Sequence, residues 1–145
     1  MGNATAIADI GRDFRKMNAL VTMVDIWRTL EKISKDNKLT EKSELSHGGE
    51  IGTSIALAMY PNNTIMAKAQ KAINEYPVSK NIKPVNTIGL ARFKGKNIYT
   101  YVSAKEITTS GLLGDPSKGT KEKGRILIKA MVLYLEKVIT ELQYS

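Results

Sequence analysis

The feature that most constrains the fold is a long amphipathic helix near the C-terminal end of the sequence. Asp115-Pro116-Ser117 is a typical opening, because proline is favoured in the first turn of a helix. The periodicity predicts that this helix runs to about residue 142. Its apolar residues recur every three or four positions and predict one buried stripe, formed by Leu127, Met131, Tyr134, Val138 and Leu142. A stripe of this length needs other elements to cover it.

The remaining segments predict an α/β fold with a parallel or mixed sheet. Residues 19–27 and 98–102 are rich in β-branched and aromatic side chains and are predicted as strands, whereas residues 74–97 hold two prolines and two glycines and are predicted as irregular. Two strands make a thin sheet, so the architecture is expected to be incomplete by itself. Helical spacing predicts further helices or helical turns over residues 4–16, 28–35, 50–60 and 64–73.

Composition permits a single domain over residues 1–145 and excludes several classes of protein. Hydrophobic residues make up 42% of the chain, enough to fill a core, and the absence of cysteine excludes disulfides and thiolate metal sites. No run of about 18 apolar residues predicts a membrane span, and residues 1–17 carry charges that break a signal-peptide pattern. These features predict a cytoplasmic protein without a membrane partner.

The net charge of +8, from 22 Lys and Arg against 14 Asp and Glu, allows a nucleic-acid partner. The lysines are spread along the chain, however, and no aromatic–basic stretch forms an RNA-binding signature. A solvated basic face is therefore the expected role of this charge, and nucleic-acid binding is not expected.

Two segments resemble motifs of the creatininase family of amidohydrolases. The stretch His47-Gly48-Gly49-Glu50-Ile51-Gly52-Thr53-Ser54, followed by IALAMYP, is similar to the family's His-Ala/Gly-Gly-x-x-Glu-Thr-Ser segment. The stretch from Gly111 to Gly124, with GDPS and EKG inside it, resembles the family's segment before its last helix. Gly2-Asn3 looks like the tail of the Asn-Gly-His-Gly-Gly-Asn motif, so the chain is expected to correspond to the family's C-terminal half.

The resemblance implies an incomplete α/β/α sandwich and a site that hydrolyses small cyclic amides or formamides. The family uses divalent metals such as Zn, Mn or Fe, which activate water and polarise the amide carbonyl. His47 is implied as an acid–base group, since imidazole exchanges protons near neutral pH. We expect it at the edge of a cleft, near Trp27 or the Gly111–Ser117 loop. The implied substrate-binding residues are Trp27, Gly48, Gly49, Thr53, Ser54 and Asp115.

The chain departs from the family at the position of a metal ligand. The Glu of Glu-Thr-Ser is Gly52 here, and Glu50 lies about 200° round a helix from that position, so it cannot substitute. His47 is the only histidine. We therefore expect no metal or other cofactor to be bound by this chain alone.

Two functions follow from the resemblance and its gaps. The chain is either a hydrolase subunit, inactive alone and completed by a partner that carries the N-terminal half, or a non-catalytic relative that acts by association. Either reading predicts association with copies of itself or with such a partner, and the substrate is left open. The roles of single residues have structural alternatives too: core packing for Trp27 and a helix N-cap for Asp115.

Overall fold

The computed structural model describes residues 2–40, 46–70, 79–85 and 89–143. Five helices and three strands lie in these ranges, in the order α1 (Gly2–Lys16), α2 (Ile26–Asp36), α3 (Glu50–Met59), β1 (Ile82–Pro84), β2 (Leu90–Phe93), β3 (Lys96–Tyr99), α4 (Ala104–Ile107) and α5 (Lys121–Gln143). The mixture of helices with a small sheet is compatible with an α/β fold. The layered sandwich stays a prediction.

The strand predicted at residues 19–27 is wrong. Residues 19–25 have no regular secondary structure, and α2 begins at Ile26, where the carboxylate of Asp25 accepts a hydrogen bond from the backbone N–H of Arg28 at 3.1 Å. This is an N-cap, which starts a helix and excludes a continuing strand. The apolar side chains of Leu20, Val21 and Met23 line a groove along α1 instead.

The predicted parallel or mixed sheet is also wrong within the described residues, because the three-stranded sheet that they form is antiparallel, with the order β1-β2-β3. Two of its strands lie inside the segment that was predicted as irregular. Lys94 and Gly95 join β2 to β3 with φ angles of 47° and 77°. Positive φ at both central residues is the geometry of a two-residue hairpin turn, which returns the chain antiparallel.

The long C-terminal helix is confirmed as α5, although a separate 3₁₀ turn at Pro116–Lys118 precedes it. Leu127 and Met131 are buried as predicted, whereas Tyr134 and Leu142 of the same stripe are exposed. The other predicted helices are found as α1, α2 and α3, but between 64 and 70 only Met66–Lys68 forms a helical turn. Residues 71–73 of that prediction lie outside the described ranges.

The core lies where α2, α3 and α5 meet. Leu30, Ile51, Leu127 and Met131 form its buried cluster. The axes of α3 and α5 approach closely at Gly124, since a Cβ atom there would overlap the carbonyl of Ser54 and lie 2.8 Å from the Cβ of Ala58. In the described parts of the chain no helix is long and apolar enough to cross a membrane.

Two glycines inside helices predict opposite responses to the same substitution. Gly124→Ala should lower the free energy of unfolding by about 1–3 kcal/mol, because the methyl group has no room at the α3–α5 contact. Gly52→Ala should raise it by about 0.5–1 kcal/mol, because alanine favours a helix and nothing lies within 4 Å of the added Cβ. Urea unfolding of both variants and the parent measures the difference. Changes of the same sign would contradict the described packing of these two helices.

Candidate functional site

The predicted site begins in the loop of residues 46–49, which leads directly into α3. Gly48 has a φ of 67°, in the left-handed region, and the backbone N–H of Gly49 donates to the carbonyl of Ser46 at 3.0 Å. A side chain at Gly48 would also overlap that of Leu112. The left-handed backbone conformation therefore favours glycine here, and a larger side chain would also have to displace the end of the Leu112 side chain.

His47 lies beside the loop that carries the second motif. Its carbonyl accepts hydrogen bonds from the backbone N–H groups of Leu113, at 2.8 Å, and Gly114, at 3.1 Å, and its side chain is exposed. At Gly114 a Cβ would overlap the backbone of Gly49, so the two loops are in direct contact. The sequence predicts this neighbourhood from motif order alone. The acid–base role of His47 stays a prediction.

A cleft of about 330 Å³ lies next to these loops. Gly48 and Thr53 line it from the first motif, and Ser110, Leu112 and Pro116 line it from the second. Its remaining wall comes from the segment after α3, through Thr64, Ile65, Met66, Lys68, Ala69 and Gln70. Sequence reasoning missed this last wall, since residues 64–70 belong to neither motif.

Ser54, predicted to contact substrate, is fully buried between α3 and the start of α5. Its hydroxyl donates to the carbonyl of Glu50 at 2.7 Å and accepts from the backbone N–H of Thr120 at 3.1 Å. The hydroxyl thus bridges the two motifs and is not open to a ligand in this structure. Gly119, the residue before Thr120, lies against Thr53: a Cβ atom built at Gly119 would be 2.8 Å from the threonine methyl group.

Asp115 caps the 3₁₀ turn before α5. Its carboxylate accepts from the backbone N–H of Ser117 at 3.0 Å and from the hydroxyl of the same residue at 2.5 Å. Asp115 therefore acts as an N-cap, which is the structural alternative to a ligand role. The carboxylate fixes the turn that carries Pro116 to the wall of the cleft.

Trp27 lies elsewhere, in the first turn of α2, with 54% of its surface exposed. Trp27 therefore does not pack in the core of the described chain. Gly48 and Thr53 lie on the wall of one cleft, and His47 and Gly49 flank Gly48 in the same loop without lining the cleft, whereas Trp27 lies on a different element.

Glu50 forms an ion pair with Lys123, across the α3–α5 contact. The carboxylate side chain is 11% exposed and the lysine side chain 31%, and the ammonium also donates to the carbonyl of Lys118 at 3.2 Å. Glu50 is thus committed to the packing of α5. Together with its position on the helix, this pairing argues against Glu50 as a replacement for the family's ligand at Gly52.

A divalent metal, implied by the family resemblance, does not fit the residues in place. Within the described ranges, no three His, Asp or Glu side chains come together in a way that could hold a metal ion. The space at Gly52 carries no donor atom, although nothing lies within 4 Å of a Cβ built there. No step through a metal can therefore be derived for the described part of the chain.

The ion pair predicts a measurable coupling. Lys123→Met keeps most of the aliphatic stem but leaves the poorly exposed Glu50 carboxylate without its cation, and should lower the free energy of unfolding by about 1–3 kcal/mol. Adding Glu50→Gln should recover part of this loss. Denaturant unfolding of the two single variants and the double variant gives the coupling energy.

The exposed pair Glu122–Arg125, with its atoms 3.9 Å apart, is the matched control for this cycle. Arg125→Met should change the free energy of unfolding by less than about 0.5 kcal/mol, because exposed pairs contribute little. Equal effects at Lys123 and Arg125 would contradict the structural role of the Glu50–Lys123 pair.

Comparison with known proteins yields one family. Residues 1–139 match the family model described as Creatininase, creatinine amidohydrolase. No curated protein and no solved structure matches the chain.

Proposed function

Because the chain belongs to the creatininase family, we propose that it supplies the His47 side of an active site that hydrolyses small cyclic amides or formamides. The observation that carries this proposal is the contact between the two motif loops, with His47 on one and the Leu113–Gly114 backbone on the other. The cleft beside them is lined by three hydroxyl-bearing residues, Thr53, Thr64 and Ser110. The hydroxyl of Thr64 donates to the carbonyl of Tyr60, and that of Ser110 accepts from the backbone N–H of Leu112.

The catalytic residue on this chain is His47. In amide hydrolysis a water oxygen bonds to the carbonyl carbon, the C–N bond breaks, and the leaving nitrogen gains a proton. The imidazole would accept the proton from water and return it to the leaving nitrogen. The hydroxyl of Thr53, half-buried on the cleft wall, would hydrogen-bond the substrate and orient it.

The family generally depends on a divalent metal, which would polarise the carbonyl. We propose that its ligands come from outside the described residues, on a partner chain or another segment. Two observations support this: the described residues offer no cluster of ligands, and Gly52 stands where the family segment has Glu. The described chain then contributes a proton-transfer group and the lining of the cleft.

The alternative function is a non-catalytic relative that acts by association with copies of itself or with another chain. Gly52 favours it, since glycine offers no ligand atom at a position where the helix has open space. The two functions differ in whether any combination of chains hydrolyses an amide.

The test assays creatinine and a set of small formamides with Zn, Mn or Fe present. The chain is assayed alone and together with a protein segment that corresponds to the family's N-terminal half. Activity should appear only in the mixture. His47→Gln should reduce kcat in the mixture by about a hundredfold or more, because proton transfer is lost, and its unfolding curve should match that of the parent.

Lys137→Gln, an exposed change on α5, serves as the control and should leave kcat unchanged. An active mixture that is insensitive to His47→Gln would contradict the catalytic role of this histidine. A mixture that associates without hydrolysing any substrate would favour the non-catalytic alternative.

A further inference from the structure

Helix α5 carries more apolar surface than the described chain covers. Leu127 and Met131 are buried, but the helix also exposes Ile126, Val132, Leu133, Tyr134, Ile139 and Leu142. An exposed apolar patch of several neighbouring side chains on a helix often marks an interaction site. The surplus surface therefore calls for a partner.

Part of this surplus surface has the spacing of a coiled-coil seam. Residues 128, 132, 135, 139 and 142 are separated by four, three, four and three positions, and all five are Ile, Val or Leu. Val132 and Ile139 are 49% and 55% exposed, and Ile128 and Leu135 are half-buried. We call these five positions the α5 seam. It lies beside the buried stripe, since Leu135 also packs against the core.

The open flank of the α5 seam carries two opposite charges. Lys129 directly follows Ile128 of the seam, and Glu136 directly follows Leu135. The two charged residues are seven positions apart, so both lie on the same edge of the seam. Both residues are exposed, and neither side chain forms a salt bridge with any described residue. The opposite flank holds Met131, which is buried in the core.

From these features we propose that a second copy of this chain covers the α5 seam, with the two α5 helices packed antiparallel about a two-fold axis. In this register Val132 faces the partner's Leu135, and Ile128 faces the partner's Ile139. Each pairing occurs twice by symmetry. Lys129 then lies opposite the partner's Glu136, which gives two salt bridges across the interface.

Charge selects this register among its neighbours. Sliding one helix by seven residues in one direction sets Glu136 against its own copy. Sliding it by seven residues the other way places Lys129 opposite the partner's Lys129, and Glu122 opposite the partner's Glu136. A parallel pairing sets Lys129 and Glu136 against Gly124 and Met131, which offer no opposite charge. Only the proposed register pairs opposite charges.

This interface does not depend on the proposed function. It uses a face of α5 that contains none of the cleft-lining residues, and its test measures association alone. Loss of the interface would leave the amide-hydrolysis proposal unaffected, and the reverse holds too.

Sedimentation equilibrium of the full chain from about 1 to 100 µM tests the proposal. The parent should show a dimer, and Val132→Glu should abolish it, because a charge would enter the seam. Lys129→Glu and Glu136→Lys should each raise the dimer dissociation constant by about tenfold or more, since each turns two attractive pairs into repulsive ones. Mixing these two variants should restore the dimer, because the mixed pair again opposes unlike charges.

Lys137→Glu makes the same charge change on α5 outside the seam and should leave the dissociation constant within about twofold of the parent. Urea unfolding checks that each variant folds. A parent that is monomeric throughout would overturn the proposal, as would a dimer that persists in Val132→Glu. Failure of the two charge variants to rescue each other would overturn the antiparallel register. A seam that instead binds only a chain with the family's N-terminal segment would overturn self-association.

Discussion

The close contact between α3 and α5 determines the positions of both motif loops of the candidate site. Gly124 has no side chain, so α5 can lie against the backbone of Ser54. The Ser54 hydroxyl then bridges the two helices through the carbonyl of Glu50 and the N–H of Thr120. Because α3 begins directly after the His47 loop and α5 directly after the Pro116 turn, fixing the helices fixes both loops.

The first motif consequently serves two surfaces at once. Gly48 and Thr53 face the cleft, whereas Glu50 and Ser54 face α5. This division follows from helical geometry, since successive residues point in different directions around the axis. Some residues of the first motif therefore pack between the helices, although the sequence alone suggests a catalytic role for the whole motif. The polar bridges of Glu50 and Ser54 hold the cleft-facing residues in place.

Sequence reasoning succeeded where periodicity and capping signals are strong. The helix predicted over residues 50–60 is found as α3, and the spacing after Asp115 correctly predicts α5. The adjacency of His47 to the Gly111–Ser117 loop came from motif order. Each of these predictions rests on local patterns or on two segments that share one family arrangement.

The failures have a common physical cause, which is dependence on distant partners. An apolar run such as 19–25 forms a strand only beside another strand, and here Leu20, Val21 and Met23 line a groove along α1 instead and remain exposed. The hairpin at Lys94-Gly95 had a turn signal, but its short strands lacked clear alternation. The 64–70 wall of the cleft carries no motif, and only tertiary packing brings it to the site.

The central claim is that the described residues form the proton-transfer side of a family site whose metal ligands lie elsewhere. Metal analysis after equilibration with Zn, Mn or Fe and exhaustive dialysis tests it most directly. The account predicts far less than one metal per chain for the protein alone, and about one or two per complex once the family's N-terminal ligands are supplied. One tightly held metal per isolated chain, lost on substitution of its own residues, would contradict the account.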